Sequence, residues 1–393
     1  MPMTDVAGAG GRVPGEAMSS AAVARDGATS PFAGLRRWPD LETRELQAWD
    51  AADALMLDEA GPRIAGSRVT VVGDAYGALT LGALAAGATE VLVHQDSLIG
   101  ELAVAANAGA AGSAGPRYRS MALEPQLVAG ATLVMLRLPR SLDALEEIAA
   151  LIAASASPEV VVVAGGRLKH MTVTMNEVLS RHFARLDVSR ARQKSRVLTA
   201  REPIDAPAPE PRRRWHQDLG LTVVATGEVF AGTSLDIGTR ALVEVFAQLP
   251  EYRRAIDLGC GTGILAAALA MRNPSARVLA TDQSASAVSS AALTMSANGL
   301  TVEVARDDAL SREPDASADL ILLNPPFHTG AAVHSGLAQK LFAESARVLR
   351  PGGELWTVWN SHLGYRAQLE RMVGQTRQVA RGPKFTVTAS IRA

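Results

Sequence analysis

Twice in this chain an apolar run ends in a turn punctuated by glycine: Val71-Val72-Gly73-Asp74-Ala75-Tyr76-Gly77, and again Asp257-Leu258-Gly259-Cys260-Gly261-Thr262-Gly263. Each is followed by an acid at the tip of a further apolar run, nineteen residues past the last glycine (Gly77 to Asp96, Gly263 to Asp282). A strand, a glycine turn, a helix and a second strand ending in an acid open a parallel sheet. A chain that starts this pattern twice is constrained to two α/β domains, and 393 residues leave room for both cores.

The alternation continues in both halves. Val69 to Gly73, Glu90 to His94, Thr132 to Leu138 and Val160 to Ala164 read as strands, with Ala- and Leu-rich helical stretches between them. In the second half Ala255 to Leu258, Val278 to Thr281, Val302 to Ala305, Leu320 to Leu323, Glu354 to Val358 and Phe385 to Ala389 read as strands. Gly263 to Met271, Ala285 to Asn298 and Gly336 to Leu349 read as helices, and Pro351-Gly352-Gly353 supplies the turn after the last. The fold class is therefore α/β: two tandem Rossmann-like domains with doubly wound, mostly parallel sheets, the second closing on an antiparallel hairpin. Leu41, Leu46, Ala52, Leu55 and Met56 predict helices leading into the first. Residues 1–34, rich in Ala, Gly, Ser and Pro, read as a disordered leader, with a transit peptide as the alternative. The first domain is expected over 35–202, a Pro- and Arg-rich linker over 203–214, and the second domain over 215–393.

Composition excludes several classes. No apolar run is long enough to span a bilayer, so no membrane partner is expected. The single cysteine, Cys260, forbids an internal disulfide and fits a reducing cytoplasm. A net charge of -1 argues against a wholly basic nucleic-acid binder but leaves room for a local basic face. The most basic window holds Arg181, Arg185, Arg190, Arg192, Lys194, Arg196 and Arg201 against one acid, Asp187. It reads equally as a track for RNA phosphates and as a solvated edge. No spacing suggests a metal site, and the chain is expected to be a monomer.

The candidate site collects at strand ends. Glycines at every second position, Gly259, Gly261 and Gly263, let a ligand approach the backbone. This even spacing fits the loop against which the amino-acid part of S-adenosylmethionine lies, with Asp257 at its base. Asp282 can accept the ribose hydroxyls. Asp308, or its neighbour Asp307, can accept the adenine amino group, and Asp308-Ala309 favours the former. Gly227-Glu228-Val229-Phe230, with Leu235-Asp236-Ile237-Gly238-Thr239 after it, reads either as a segment folding Phe230 over the cofactor or as an ordinary strand and helix start.

After the fourth strand stands Asn324-Pro325-Pro326-Phe327-His328. The Asn324 carboxamide oxygen and the Pro325 carbonyl can each accept one N–H of an exocyclic amine, aligning a poor nucleophile with a methyl donor. Pro326 completes the motif and Phe327 can stack on a base. His328 reads first as a surface or supporting histidine, and otherwise as a residue that orients the loop or touches the substrate. A tight turn after a buried strand is the bland alternative for the whole stretch.

These motifs resemble the bacterial rRNA guanine-N2 methyltransferases of the RsmC and RlmG type. The likeness rests on Phe230 with Leu235-Asp236-Ile237-Gly238, the Asp257–Gly263 loop, Asn324 to His328, and Leu349-Arg350-Pro351-Gly352-Gly353-Glu354-Leu355. Asn360-Ser361-His362-Leu363-Gly364-Tyr365 and Lys384-Phe385 look closer to the large-subunit enzyme. The resemblance implies a degenerate N-terminal methyltransferase-like domain before an active one, S-adenosyl-L-methionine as cofactor, and rRNA or a ribosomal subunit as partner. Ala231-Gly232-Thr233-Ser234 departs from the family pattern. The motif also serves adenine N6, protein glutamine or a small-molecule amine, and a non-catalytic RNA-binding protein is the rival of another class. In the first half Val71, Ala75, Arg137 and Arg140 replace the acid, the middle glycine, the asparagine and the aromatic. That copy is expected to bind no cofactor, and Arg137 and Arg140 suit phosphate contact.

Overall fold

Leu320, Ile321, Leu322 and Leu323 are all fully buried, because each face of the sheet they belong to is covered. Leu320 and Leu322 join one core with Leu265, Ala266 and Trp356, while Ile321 and Leu323 join another with Phe342, Leu349 and Trp359. The two-residue period of a strand divides a continuous apolar run between two cores.

The computed structural model describes residues 32, 34–43, 46–112, 117–205, 207, 209–325 and 331–393. Most of the expected leader, and Pro326, Phe327 and His328, lie outside the described residues. The first half runs α1 (Ala51–Ala60), β1 (Arg68–Val72), α2 (Ala78–Ala85), β2 (Glu90–His94), α3 (Leu98–Ala110), β3 (Tyr118–Ser120), α4 (Pro125–Val128), β4 (Leu133–Arg137), α5 (Leu142–Ser155), β5 (Val161–Arg167), α6 (Val173–His182), β6 (Phe183–Val188) and β7 (Ser195–Pro203). A hairpin of β8 (Arg212–His216) and β9 (Leu221–Ala225) follows. The second half runs α7 (Ile237–Val243), β10 (Arg254–Leu258), α8 (Ile264–Arg272), β11 (Arg277–Asp282), α9 (Ala285–Asn298), β12 (Glu303–Arg306), β13 (Ala318–Leu323), α10 (Ala331–Val348), β14 (Leu349–Asn360), α11 (Arg366–Met372), β15 (Thr376–Arg381) and β16 (Phe385–Ile391).

Among the described residues these strands form two seven-stranded sheets in the same order, β3-β2-β1-β4-β5-β7-β6 and β12-β11-β10-β13-β14-β16-β15. In each, the first five strands are parallel, and the sixth in order, β7 or β16, runs antiparallel to both of its neighbours. The expected tandem α/β architecture is present, with the C-terminal antiparallel edge. No described helix is long and apolar enough to cross a membrane.

Three local expectations are corrected. The only helix within residues 35–57, among those described, begins at Ala51, after the Asp50 cap. Upstream, Pro39 lacks a donor, and the Glu42 carboxylate takes the Arg37 amide and the Arg36 guanidinium, so the backbone groups turn locally. The basic window is mostly the β6–β7 hairpin, and Arg212 to Arg214 stand in β8 rather than in a linker. β15, polar and at the sheet edge, carried too weak an apolar pattern to be anticipated.

The β9 strand is held to α9 by a polar stripe that the periodicity alone did not flag. Ser290, Thr294 and Asn298, one helical turn apart, meet the backbone amides of Thr226, Val224 and Thr222 at 3.0, 3.0 and 2.8 Å. The strand thereby delivers residues 227–236 to the edge of the site.

Candidate active site

β10 and β13 lie side by side in parallel, with Leu258 opposite Leu323. The strands end level, so Gly259 and Asn324 leave the sheet together. Two features that the sequence separates by more than sixty residues become neighbours.

The glycine loop has the geometry its spacing implied, for two different reasons. Gly259 and Gly261 have φ of +75° and +52°, and a Cβ on either would meet nothing within 4 Å. They combine a left-handed backbone with open ground above it, which suits a ligand. At Gly263 a Cβ would come within 2.8 Å of Met295 Cε and 3.0 Å of Ala291 Cβ, so this glycine serves the packing of α8 on α9. Asp257 is buried. Its Oδ2 accepts from Ala266 N at 2.9 Å, while its Oδ1 has no hydrogen-bond partner. Burial, opposed by that amide and aided by nearby Asp282, pushes this carboxyl up to about 7. An orphaned carboxylate oxygen beside an open backbone cradle fits a ligand that brings positive charge, as the methionine end of S-adenosylmethionine does.

Asp282 ends β11. Its Oδ2 accepts from Gly261 N at 3.1 Å and its Oδ1 from Ser284 N at 3.0 Å, so the acid is aimed at the glycine loop with lone pairs to spare. Burial raises its pKa. Of the two acids after β12, Asp307 is consumed by its own turn, accepting from Asp308 N, Ser311 Oγ and Arg312 N. Asp308 instead reaches Lys340 of α10 at 2.5 Å, which leaves its other oxygen available. Phe230, 61% exposed, stands on the wall of a cleft of about 710 Å³ with Arg140, Glu147, Arg212 and Thr233. None of Asp257, Gly259, Gly261 or Asp282 lines that cleft. The orphaned oxygen and the open loop are therefore the better guide to a cofactor than cleft volume.

Asn324 is half-buried and Pro325 buried. Asn324 Nδ2 lies 3.2 and 3.3 Å from the two carboxylate oxygens of Asp236 and 3.1 Å from Thr239 Oγ1. Asp236 is the N-cap of α7: its Oδ1 accepts from Gly238 N at 2.8 Å and Thr239 N at 3.3 Å, and the Thr239 hydroxyl donates to its Oδ2. The Leu235–Thr239 segment, read either as part of a fold over the cofactor or as a helix start, does start a helix, and Asn324 lies on it. An Asp followed by an apolar run is a legible helix cap, but that it also holds Asn324 is a fact of the tertiary fold.

A family model described as the methyltransferase small domain matches residues 220–389, and one described as the RLMG N-terminal domain matches residues 28–203. A Streptomyces avermitilis protein named ribosomal RNA large subunit methyltransferase G is 34% identical over 93% of this chain and 99% of its own length. A Pseudomonas paraeruginosa protein of the same name is 36% identical over 91% of this chain and 97% of its own. The chain belongs to the ribosomal RNA large subunit methyltransferase G family. Its fold is shared with a T. thermophilus 16S rRNA N2 methyltransferase, RsmC, solved in complex with AdoMet and guanosine, at a TM-score of 0.74 and 22% identity over 88% of this chain and 92% of that one.

The first half of this family member repeats the strand order with different residues at the matching positions. Gly73, Ala75 and Gly77 keep the loop's left-handed φ values of +77°, +58° and +102°. The acid has moved to Asp74, which accepts from Leu79 N at 2.7 Å and Thr80 N at 2.8 Å and so caps α2. Arg137, expected at phosphate, is bonded to Asp50 at 3.0 Å and Asp53 at 2.8 Å. That expectation is corrected: its charge is satisfied inside the protein. In the basic window Arg181 pairs with Glu146, Arg185 and Arg201 with Asp187, and Arg192 with Asp58. Arg190 and Lys194 are exposed with no ion pair among the described residues.

Proposed function

We propose that this chain transfers a methyl group from S-adenosylmethionine to the exocyclic N2 amine of a guanine in ribosomal RNA. The observation that carries the reading is the level ending of β10 and β13, which sets Asn324 beside the open Gly259–Gly261 loop and the unpartnered Asp257 oxygen. Asp257 and the loop would hold the methionine end of the cofactor, Asp282 the ribose, Asp308 the adenine amino group, and Phe230 would lie against it.

The bound cofactor supplies an electrophilic methyl on a sulfonium. The chain's own groups act on the acceptor. The lone pair of an exocyclic guanine amine is delocalised into the ring, so the enzyme's task is orientation. Asn324 Oδ1 and the Pro325 carbonyl each accept one N–H, turning the nitrogen lone pair toward the methyl and stabilising positive charge as the N–C bond forms and the C–S bond breaks. The proton lost afterwards goes to solvent, and no strong base is needed. Phe327 would stack on the base to offset part of the cost of unstacking it. The second half, from the β8–β9 hairpin onward, would form the catalytic unit and the first half, through β7, a non-catalytic partner for RNA.

The test is Asn324→Ala with tritiated S-adenosylmethionine and, as separate acceptors, total rRNA, total protein and small-molecule extract. Label should enter rRNA alone as N2-methylguanine, and the variant should lose about two to three orders of magnitude in rate with cofactor affinity kept. Label in protein or small molecules, or a retained rate, would sink the reading.

A further inference from the structure

We infer that Asp236 and Gly238 are positioning residues that set which end of the Asn324 amide faces the substrate, a step resting on the proposed amine chemistry. An asparagine side chain has two faces of opposite use: its oxygen accepts from an amine, while its NH2 repels one. Rotation by half a turn exchanges them at almost no steric cost.

Here the surroundings allow one orientation. Three oxygens crowd the Nδ2 end, two from Asp236 and one from Thr239. The Thr239 hydroxyl proton is already donated to Asp236 Oδ2, so all three act as acceptors. An amide oxygen in that place would face only lone pairs. The amide must therefore present NH2 inward, and Oδ1 is left for the amine.

Gly238 makes the arrangement possible. A Cβ there would lie 2.7 Å from Asn324 Oδ1, 3.1 Å from Nδ2 and 3.2 Å from Cγ. The amide plane rests on the bare backbone of the first turn of α7. Any side chain at 238 would lift it.

The same contact without chemistry in the first half defines the alternative. There Arg137, in the place of Asn324, bonds to Asp50, the cap of α1, and to Asp53 three residues on. That version can only hold the fold together, so the test must separate holding the fold from orienting an amide.

Two variants do so in the full-length protein. Asp236→Asn keeps the helix cap, because an Asn oxygen can still accept from Gly238 N and Thr239 N. It places an NH2 against Asn324 and favours the turned amide. Gly238→Ala leaves the helix intact, since Gly238 is a helical residue without positive φ and alanine there favours helix. Both should lower kcat on rRNA by roughly two orders of magnitude. Melting temperature and calorimetric affinity for S-adenosylmethionine should stay at wild-type values. Wild-type kcat in both variants would overturn the inference. So would a matching loss of cofactor affinity or of melting temperature in both, which would make the contact structural. Asn324→Ala, run alongside, separates the two levels: full rate in that variant sinks the amine mechanism and the positioning with it, whereas a large loss there with wild-type kcat in the other two keeps the mechanism and overturns the positioning alone.

Discussion

Ser286 N donates to the Asp96 carboxylate at 2.7 Å, so the acid that ends the β2 corner of the first half caps α9 of the second. Around this bond Leu98 N donates to Gln283 O and Ala285 N to Asp96 O, both at 2.9 Å, and Ser97 bridges Ser284. The two equivalent strand-to-helix corners, one bearing Asp96 and one bearing Asp282, are docked on each other as a near-symmetric pair. Arg306 clasps them: Nε donates to Gln283 O, Nη2 to the carbonyls of Gln95 and Asp96, and Nη1 to Glu101.

Arg306 immediately precedes Asp307 and Asp308, and Gln283 follows Asp282, so the clasp braces the strand ends that carry both proposed adenosine acceptors. Arg306→Ala should cost about 1–3 kcal/mol, as for a charged group with several partly exposed hydrogen bonds. It should also weaken S-adenosylmethionine binding several-fold. Calorimetry at wild-type affinity would show that the first half does not support the site.

Binding should occur at one cofactor per chain. In the first half Asp96 Oδ1 already faces Ser286, Ala75 places a Cβ where Gly261 has none, and Arg137 fills the asparagine position with a paired charge. Two equivalent sites by titration would contradict this.

Cofactor binding should release a proton near neutral pH. The folded pKa of Asp257, about 7, lies above its unfolded value, so the carboxyl is largely protonated at pH 6 and a cationic ligand favours its ionised form. Affinity should rise with pH up to about 7 and level off above it. Without ligand the sign is opposite for folding: the raised pKa stabilises below the unfolded value, and that contribution is lost as pH rises through about 7. Buried Asp74, also raised to about 7, adds to the stability effect. Titrations in buffers of different ionisation enthalpy at pH 6.5 should reveal the proton, and Asp257→Asn should abolish it.

Of the window's cations without an ion pair among the described residues, Arg190 and Lys194 are exposed and Arg196 is half-buried. Arg190→Glu with Lys194→Glu should flatten the salt dependence of RNA binding by about 0.7 to 0.9 in slope per lost phosphate contact. Reversing ion-paired Arg185 and Arg201 should do less to that slope. Equal effects from both pairs of variants would mean that the surface carries no localised phosphate track.

Patterns of short range were legible in the sequence. The four-leucine-and-isoleucine run of β13, the capped α9 and the alternate glycines each state their conformation within about ten residues, because burial period, caps and backbone freedom are local properties. That Asp257, Asp282 and Asn324 stand at or just past strand ends was legible for the same reason: a strand end is visible in one dimension. Longer-range pairings were not. Charge density marked Arg137 and Arg181 for phosphate, yet each had an acid waiting from a distant element, and a sequence window cannot show a partner brought in by the fold. Asp236 could be read as a cap but not as the bed of Asn324, eighty-eight residues away. Its capping role is set by bonds within one turn. Its hold on the amide exists only because α7, packed on β14 and β16, brings its first turn to the residue after β13, a relation that sheet order and close packing decide.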